Sequence, residues 1–296
     1  GRVFKSTGGV RAQLALGIKH TGFCKSHFSG AVQEQALGHQ GLTRAHVGGP
    51  HEGGFHLQGD HPHDRVDAAT HGCYFANELL DAIPCRRVRF TGGRWQELHV
   101  GLDGEQGFCW LEREPEDRAL VKRLAWLGEE FPEGYTTEIA PAVGSQMRLA
   151  AARLEQGYLF FADYGYPARD YYAPQRTSGT LRCYRQHRAH EDPFDAIGET
   201  DLTAHVDFSL AATTAVQSGC EVLGFLDQAR FLTAAAAPAL REMESCAAAG
   251  TAWQRQFQTL THPAHLGQKF HFLVLGKGVS GLARPSSLAF ARPTAT

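Results

Sequence analysis

The 296-residue chain has only two methionines and no excess of charge of either sign, with 29 basic against 31 acidic residues. Near-neutrality gives no sign of a polyanion as partner, so nucleic acid is not expected. No apolar run approaches the roughly 20 residues that a membrane helix needs, so no membrane span is expected. No two of the seven cysteines stand at C-x-x-C spacing. Odd in number and scattered, they argue against a disulfide framework and for reduced thiols. That fits a cytosol-like compartment. The chain opens at Gly1 without a Met or a signal-peptide pattern, as expected of a fragment whose native amino terminus is missing.

Histidine and glycine are present but unevenly spread. Nine of the sixteen histidines and 14 of the 33 glycines lie in residues 1–72. "HEGGFHLQGDHPHD" (51–64) alone holds four histidines and three acids. His61 and His63 with Asp60 or Asp64 have the chemistry to bind a divalent ion. Yet no 2 or 3.6 period runs through this segment. A shifted reading frame would produce such text, and so would a disordered extension. Residues 1–72 are therefore expected to be atypical, disordered or out of frame, with a selected metal site the least favoured reading.

At Cys73 the character changes. "CYFANELLDAIP" reads as a buried strand running into a loop stopped by Pro84. "RVRFTGGRWQELHV" reads as a β-hairpin about Gly92-Gly93. Helices are expected over "DRALVKRLAWLGEEF", over "PAVGSQMRLAAARLEQG" with Gly157 as its stop, over "AHVDFSLAATTAVQSG" and over about 230–248. Strands are expected at "YLFFADYG", "CEVLGFLDQ" and "KFHFLVLGKG". Unbroken apolar strands spaced by helices indicate an α/β fold around a mostly parallel sheet. The domain is expected over 73–283, with a loose tail at 284–296.

In such sheets ligands bind outside the carboxyl ends of the strands. Two strand ends carry polar clusters: Asn77, Glu78 and Asp81 at the first, and Asp163, Tyr164, Arg169 and Asp170 at the second. A bland alternative for Asn77–Glu78 is a capped turn. The segment 179–208 is rich in Arg, His and Asp, and "DLTAHVDF" brings Asp201, His205 and Asp207 together near an expected helix start. No Cys or second His completes a tetrahedral metal set there, so capping by Asp201 or Thr203 competes with an ordered site.

"FANELLDAIP", "FFADYG", "SGTLRCYRQHRAHEDPF", "GETDLTAHVDF" and "HPAHLGQKFHFLVLGKG" occur in that order over about residues 73–280. Together they resemble the MidA family of S-adenosylmethionine-dependent methyltransferases, whose mitochondrial members assist assembly of respiratory complex I. The resemblance implies a Rossmann-like class I methyltransferase sheet with helical and β-hairpin insertions. It also implies S-adenosylmethionine as cofactor and a protein substrate, with arginine the methyl acceptor. Asn77, Glu78 and Asp81 are then expected to be catalytic, with Asn77, Glu78 and Pro84 against the cofactor. Asp163, Tyr164, Tyr184, His187, Asp201, His205 and Asp207 are expected on the substrate side.

The E-x-G-x-G-x-G run that family members carry upstream is not found. "STGGVRAQLALG" and "VGGPHEGGFH" neither follow an apolar strand nor open a helix. A non-catalytic interaction protein that keeps the rest of the fold is therefore the alternative. If the histidine tract is not a structural metal site, chelation leaves the unfolding midpoint of the chain unchanged. A midpoint that collapses with EDTA would contradict this reading.

Overall fold

The computed structural model describes residues 31–35, 43–46, 70–104, 107–186, 188–244 and 251–291. Strands β1 (Ala31–Gln35), β2 (Thr43–His46) and β3 (Thr70–Asn77) come first. The hairpin β4 (Arg86–Thr91) and β5 (Arg94–Leu102) leads to β6 (Phe108–Arg113), α1 (Arg118–Leu127) and β7 (Thr136–Ile139). Helix α2 (Pro141–Ala152), the long β8 (Leu154–Tyr166) and α3 (Ala168–Tyr171) follow. Four short strands come next: β9 (Arg182–Arg185), β10 (Arg188–His190), β11 (Asp201–Thr203) and β12 (Val206–Asp207). The chain continues through α4 (Phe208–Gln217), β13 (Glu221–Asp227), α5 (Gln228–Glu244), α6 (Thr251–Thr261) and β14 (Phe270–Lys277).

The main sheet has the order β13-β14-β8-β3-β1-β2, with β12 added at the end of β8. It is mixed rather than mostly parallel. β3 and β12 run parallel to β8, whereas β14, β13, β1 and β2 join antiparallel. Apolar runs alone do not distinguish the two, because a strand buried on both faces reads alike in either direction. Strands β1 and β2 lie inside the segment expected to lack elements. β1 pairs with β3 from Gln33↔Phe75 to Gln35↔Cys73, so backbone pairing at a sheet edge proceeds there without an apolar pattern to announce it.

Alternation along β8 divides the core. Leu159 and Phe161 pack with Tyr74, Ala76, Val143, Met147, Phe208 and Ala211, under α2 and α4. Phe160 and Ala162 face the other way, toward Phe231, Leu232 and Phe272 under α5. Leu288, in the region expected to be a loose tail, is only 2 % exposed and closes that second cluster. A third cluster sits on a separate sheet of order β6-β5-β4-β7, where Val88, Phe90 and Trp95 meet Leu120 and Leu124 of α1. The β10-β9-β11 sheet was not anticipated, its strands being short and polar.

Local chemistry explains most boundaries. Gly92 and Gly93 both have positive φ, as a two-residue hairpin turn with the right twist demands. Asp117 caps α1 by accepting from the Leu120 N–H at 2.8 Å, and Gly128 ends it at φ 80°. Gly157 plays a different part from the helix stop expected of it. α2 ends at Ala152 and Gly157 lies within β8, with φ 142° and a Cβ direction that overlaps the Gly72 carbonyl of the parallel neighbour. A Gly157→Val substitution should therefore lower unfolding free energy by about 3 kcal/mol or more in urea titration. A change within error would show that the β3–β8 ladder does not pass so close there.

Candidate active site

The geometry begins where β3 ends. Glu78 takes a left-handed conformation at φ 49°, uncommon for a non-glycine residue, and its N–H donates to the Ala162 carbonyl of β8 at 2.9 Å. The next turn is held from β8 as well. Asp163 Oδ2 accepts the Leu80 N–H at 2.8 Å and the Asp81 N–H at 3.3 Å, and Oδ1 accepts the Tyr164 N–H at 2.9 Å. Asp163 is 1 % exposed. Burial, and then the Asp81 carboxylate beside it, raise its pKa well above the usual carboxylate range against the pull of those three amides.

This separates residues that the sequence had grouped. Asn77 is exposed and its amide donates to Glu78 Oε1 at 3.3 Å, so both stand at the open strand end. Pro84 is exposed on the following turn. Asp81, expected to be catalytic, is 3 % exposed and faces Asp163, and its carbonyl accepts the Ala204 N–H at 3.2 Å. Asp163, expected on the substrate side, is likewise interior. Asp163 ties down the turn after β3 from the interior, and Asp81 lies buried on that turn beside it.

A ring cluster forms the adjoining wall. Tyr164 lies 4.0 Å from the Phe270 ring centroid and stacks near-parallel over His205 at 6.2 Å. Tyr166 meets His205 at 5.3 Å. Burial raises the Tyr164 phenol pKa, and Glu78, Asp81, Tyr184 and Asp163 raise it further, so those groups converge on one ring. His205 is pushed down to about 4, first by burial and then by Arg176, Arg182 and His271, leaving a neutral imidazole at physiological pH. Tyr184 is 42 % exposed on β9, opposite Asp201 of β11. His187 lies outside the described residues, as does the histidine tract 51–64. Among the described residues no group of three or more His, Cys, Asp or Glu could hold a metal ion.

Asp207, expected beside the acceptor, is 7 % exposed. It caps α4 by accepting the Leu210 N–H at 3.0 Å, and it also accepts from the Tyr172 hydroxyl at 3.0 Å and pairs with Arg123 of α1. This also corrects the expected capping by Asp201 or Thr203, which belong to β11.

Sequence reasoning passed over Glu138. This β7 carboxylate is 1 % exposed and accepts from Thr180 N at 2.6 Å and Thr180 Oγ1 at 3.1 Å, with Arg87 Nε at 3.5 Å. Gly179 has φ 75°, and a Cβ there would stand 2.5 Å from both Glu138 oxygens. The "SGTLR" block is thus a cradle for a buried carboxylate, and Thr180 Oγ1 in turn accepts the His205 N–H at 3.1 Å. Its signal was a lone Glu in the short "TTEI" strand, with its partner about 40 residues away.

A family model described as "Putative S-adenosyl-L-methionine-dependent methyltransferase" matches residues 31–226. The chain belongs to this MidA-like methyltransferase family. The match opens at residue 31, upstream of the change of character at Cys73. Among similar proteins, the Drosophila melanogaster protein arginine methyltransferase NDUFAF7 homolog, mitochondrial, is 28% identical over 238 residues, 73% of this chain and 50% of that protein. The Rattus norvegicus protein arginine methyltransferase NDUFAF7, mitochondrial, is 27% identical over 224 residues, 72% of this chain and 48% of that one. The chain thus spans about half the length of the curated relatives it matches. A crystal structure of a COG1565 superfamily member from Burkholderia thailandensis, bound to S-adenosyl-homocysteine, is 34% identical with a TM-score of 0.68. It covers 76% of this chain and 58% of that chain.

In this MidA-like chain the raised pKa of Asp163 has a consequence for stability. Its native pKa lies above the unfolded value, so its contribution is fully present below about pH 4 and is lost as pH rises through the native pKa. Asp163→Asn removes that slope and sets an amide NH2 against one of the three N–H donors, costing about 1–3 kcal/mol. Urea midpoints from pH 5 to 8 should show the variant less stable, by a margin that narrows as pH rises. A constant margin would contradict the buried-acid reading.

Proposed function

We propose that this chain is an S-adenosylmethionine-dependent protein methyltransferase acting on an arginine side chain, with Asn77 and Glu78 at the point of transfer. The observation that carries the reading is the left-handed Glu78, held open at a strand end by Ala162 and, through the following turn, by Asp163. A conformation costing about 1–3 kcal/mol is retained where surrounding structure over-determines it, and such positions gather at active sites. The described residues fit one wall of a cofactor site: an exposed amide, a half-buried carboxylate and the β3–β8 strand ends. A cofactor bound there would supply an electrophilic methyl group.

The chain's own residues do the rest. Glu78 binds a guanidinium through paired hydrogen bonds, fixes the acceptor nitrogen in line and takes the proton that nitrogen gives up. Asn77 orients the Glu78 carboxylate, and Pro84 limits the turn behind it. Tyr164 and Tyr184 offer neutral phenol rings to the incoming side chain. Tyr164 is a neutral phenol at physiological pH, as any tyrosine is, and burial first and then the carboxylates around it push its pKa higher still. The relatives' names suggest a protein substrate, and some carry a mitochondrial designation. Among the described residues no helix is long and apolar enough to cross a membrane.

Isothermal titration of the full chain with S-adenosylhomocysteine should give one-to-one micromolar binding, weakened about tenfold by Glu78→Ala. A folded chain that binds none would support the second reading, a non-catalytic interaction protein. That reading is favoured by one observation, the absence of a recognisable glycine-rich loop in residues 1–72.

A further inference from the structure

The ring wall carries charge of opposite sign on its two sides. Glu78 and Asp81 act on Tyr164 from one side. On the His205 side stand two half-buried arginines, Arg176 and Arg182. Arg86, Arg87, Arg89, Arg123 and Arg185 all meet carboxylates, but among the described residues Arg176 and Arg182 form no such ion pair. Arg176 lies with Cζ 4.4 Å over the Tyr166 ring, and among the described residues its guanidinium donates only to the Asp170 carbonyl, at 3.3 Å, while its Nε is buried without a hydrogen-bond partner. Arg182 donates to the Leu181 carbonyl at 2.9 Å, and its strand register places it opposite Thr203, two residues before His205. His205 Nδ1 is also buried and unpartnered.

Two half-buried guanidinium groups without an ion-pair partner among the described residues keep N–H donors open to an anionic ligand. Stacking on Tyr166 fixes the plane of Arg176, and a planar fork of donors matches a carboxylate. We propose that Arg176 and Arg182 form an anion subsite beside the Tyr166 and His205 rings, which takes an acidic side chain of the protein substrate flanking the arginine bound at Glu78. The assignment rests on the methyltransferase reading for the identity of the substrate. The two poles of the mouth would then select an arginine next to an acid and orient the segment across it.

The test uses the full chain and two fluorescein-labelled peptides. One has a central arginine flanked by Asp and Glu, and the other has Asn and Gln in their place. Anisotropy titration should show the acidic peptide bound about tenfold more tightly. In the Arg176→Gln/Arg182→Gln variant that difference should vanish while binding of the amide peptide is unchanged. Because the peptide swap is made on the unaltered protein, a misfolded variant does not rescue the idea. Equal binding of both peptides by the wild type overturns it, as does a preference that survives in the double variant. Loss of S-adenosylhomocysteine binding by the variant, with peptide preference intact, also overturns it, because the carboxylate held there is then the cofactor's own. A wild type that discriminates between the peptides through these arginines, yet binds no S-adenosylhomocysteine, supports the subsite while removing the methyl-transfer reading.

Discussion

The fold around the candidate site depends on one buried carboxylate. Asp163 takes two N–H groups from the turn after β3 and one from its own strand. These bonds make the end of β3 and the end of β8 a single rigid unit. A carboxyl group taken out of water is expensive, and it stays there because amides converge on it. The left-handed Glu78 follows, because the residues on either side of it have no freedom to relax.

The same device recurs at longer range. Glu138 ties β7 to the Gly179–Thr180 turn, and Asp207 ties α4 to Arg123 of α1 and to Tyr172. Each acid joins segments distant in sequence, and Asp207, on β12 of the main sheet, reaches α1 of the inserted element. The inserted sheet has its own apolar core, so apolar packing alone would leave its orientation on the main sheet loosely specified. Directional bonds to buried acids supply that orientation. Among the candidate residues, Asn77, Glu78, Tyr164, Tyr184 and His205 stay at least partly open to solvent.

The sequence made periodic features legible. The Gly92-Gly93 hairpin, α1, and strands β8, β13 and β14 were all readable, because each is decided by residues close together. Strand direction was not, since a doubly buried strand carries the same apolar run whichever way it points. Gly157 was read as a helix stop because the Gly72 backbone that requires it lies 85 positions earlier. Asp81 and Asp163 were read as site residues from their place near strand ends, and Asp207 from the family resemblance. Their burial depends on partners the chain supplies elsewhere. Glu138 gave almost no local sign, and its cradle is recognisable only once Gly179 is seen against it.

The central claim is that Asp163 locks the turn carrying Glu78, and amide hydrogen exchange tests it most directly. If the lock holds, the Leu80 and Asp81 amides exchange as slowly as that of Leu159 in the middle of β8, since they open only with the sheet. Exchange of those two amides at the rate of exposed loop amides such as Gly104, while β8 stays protected, would contradict the account.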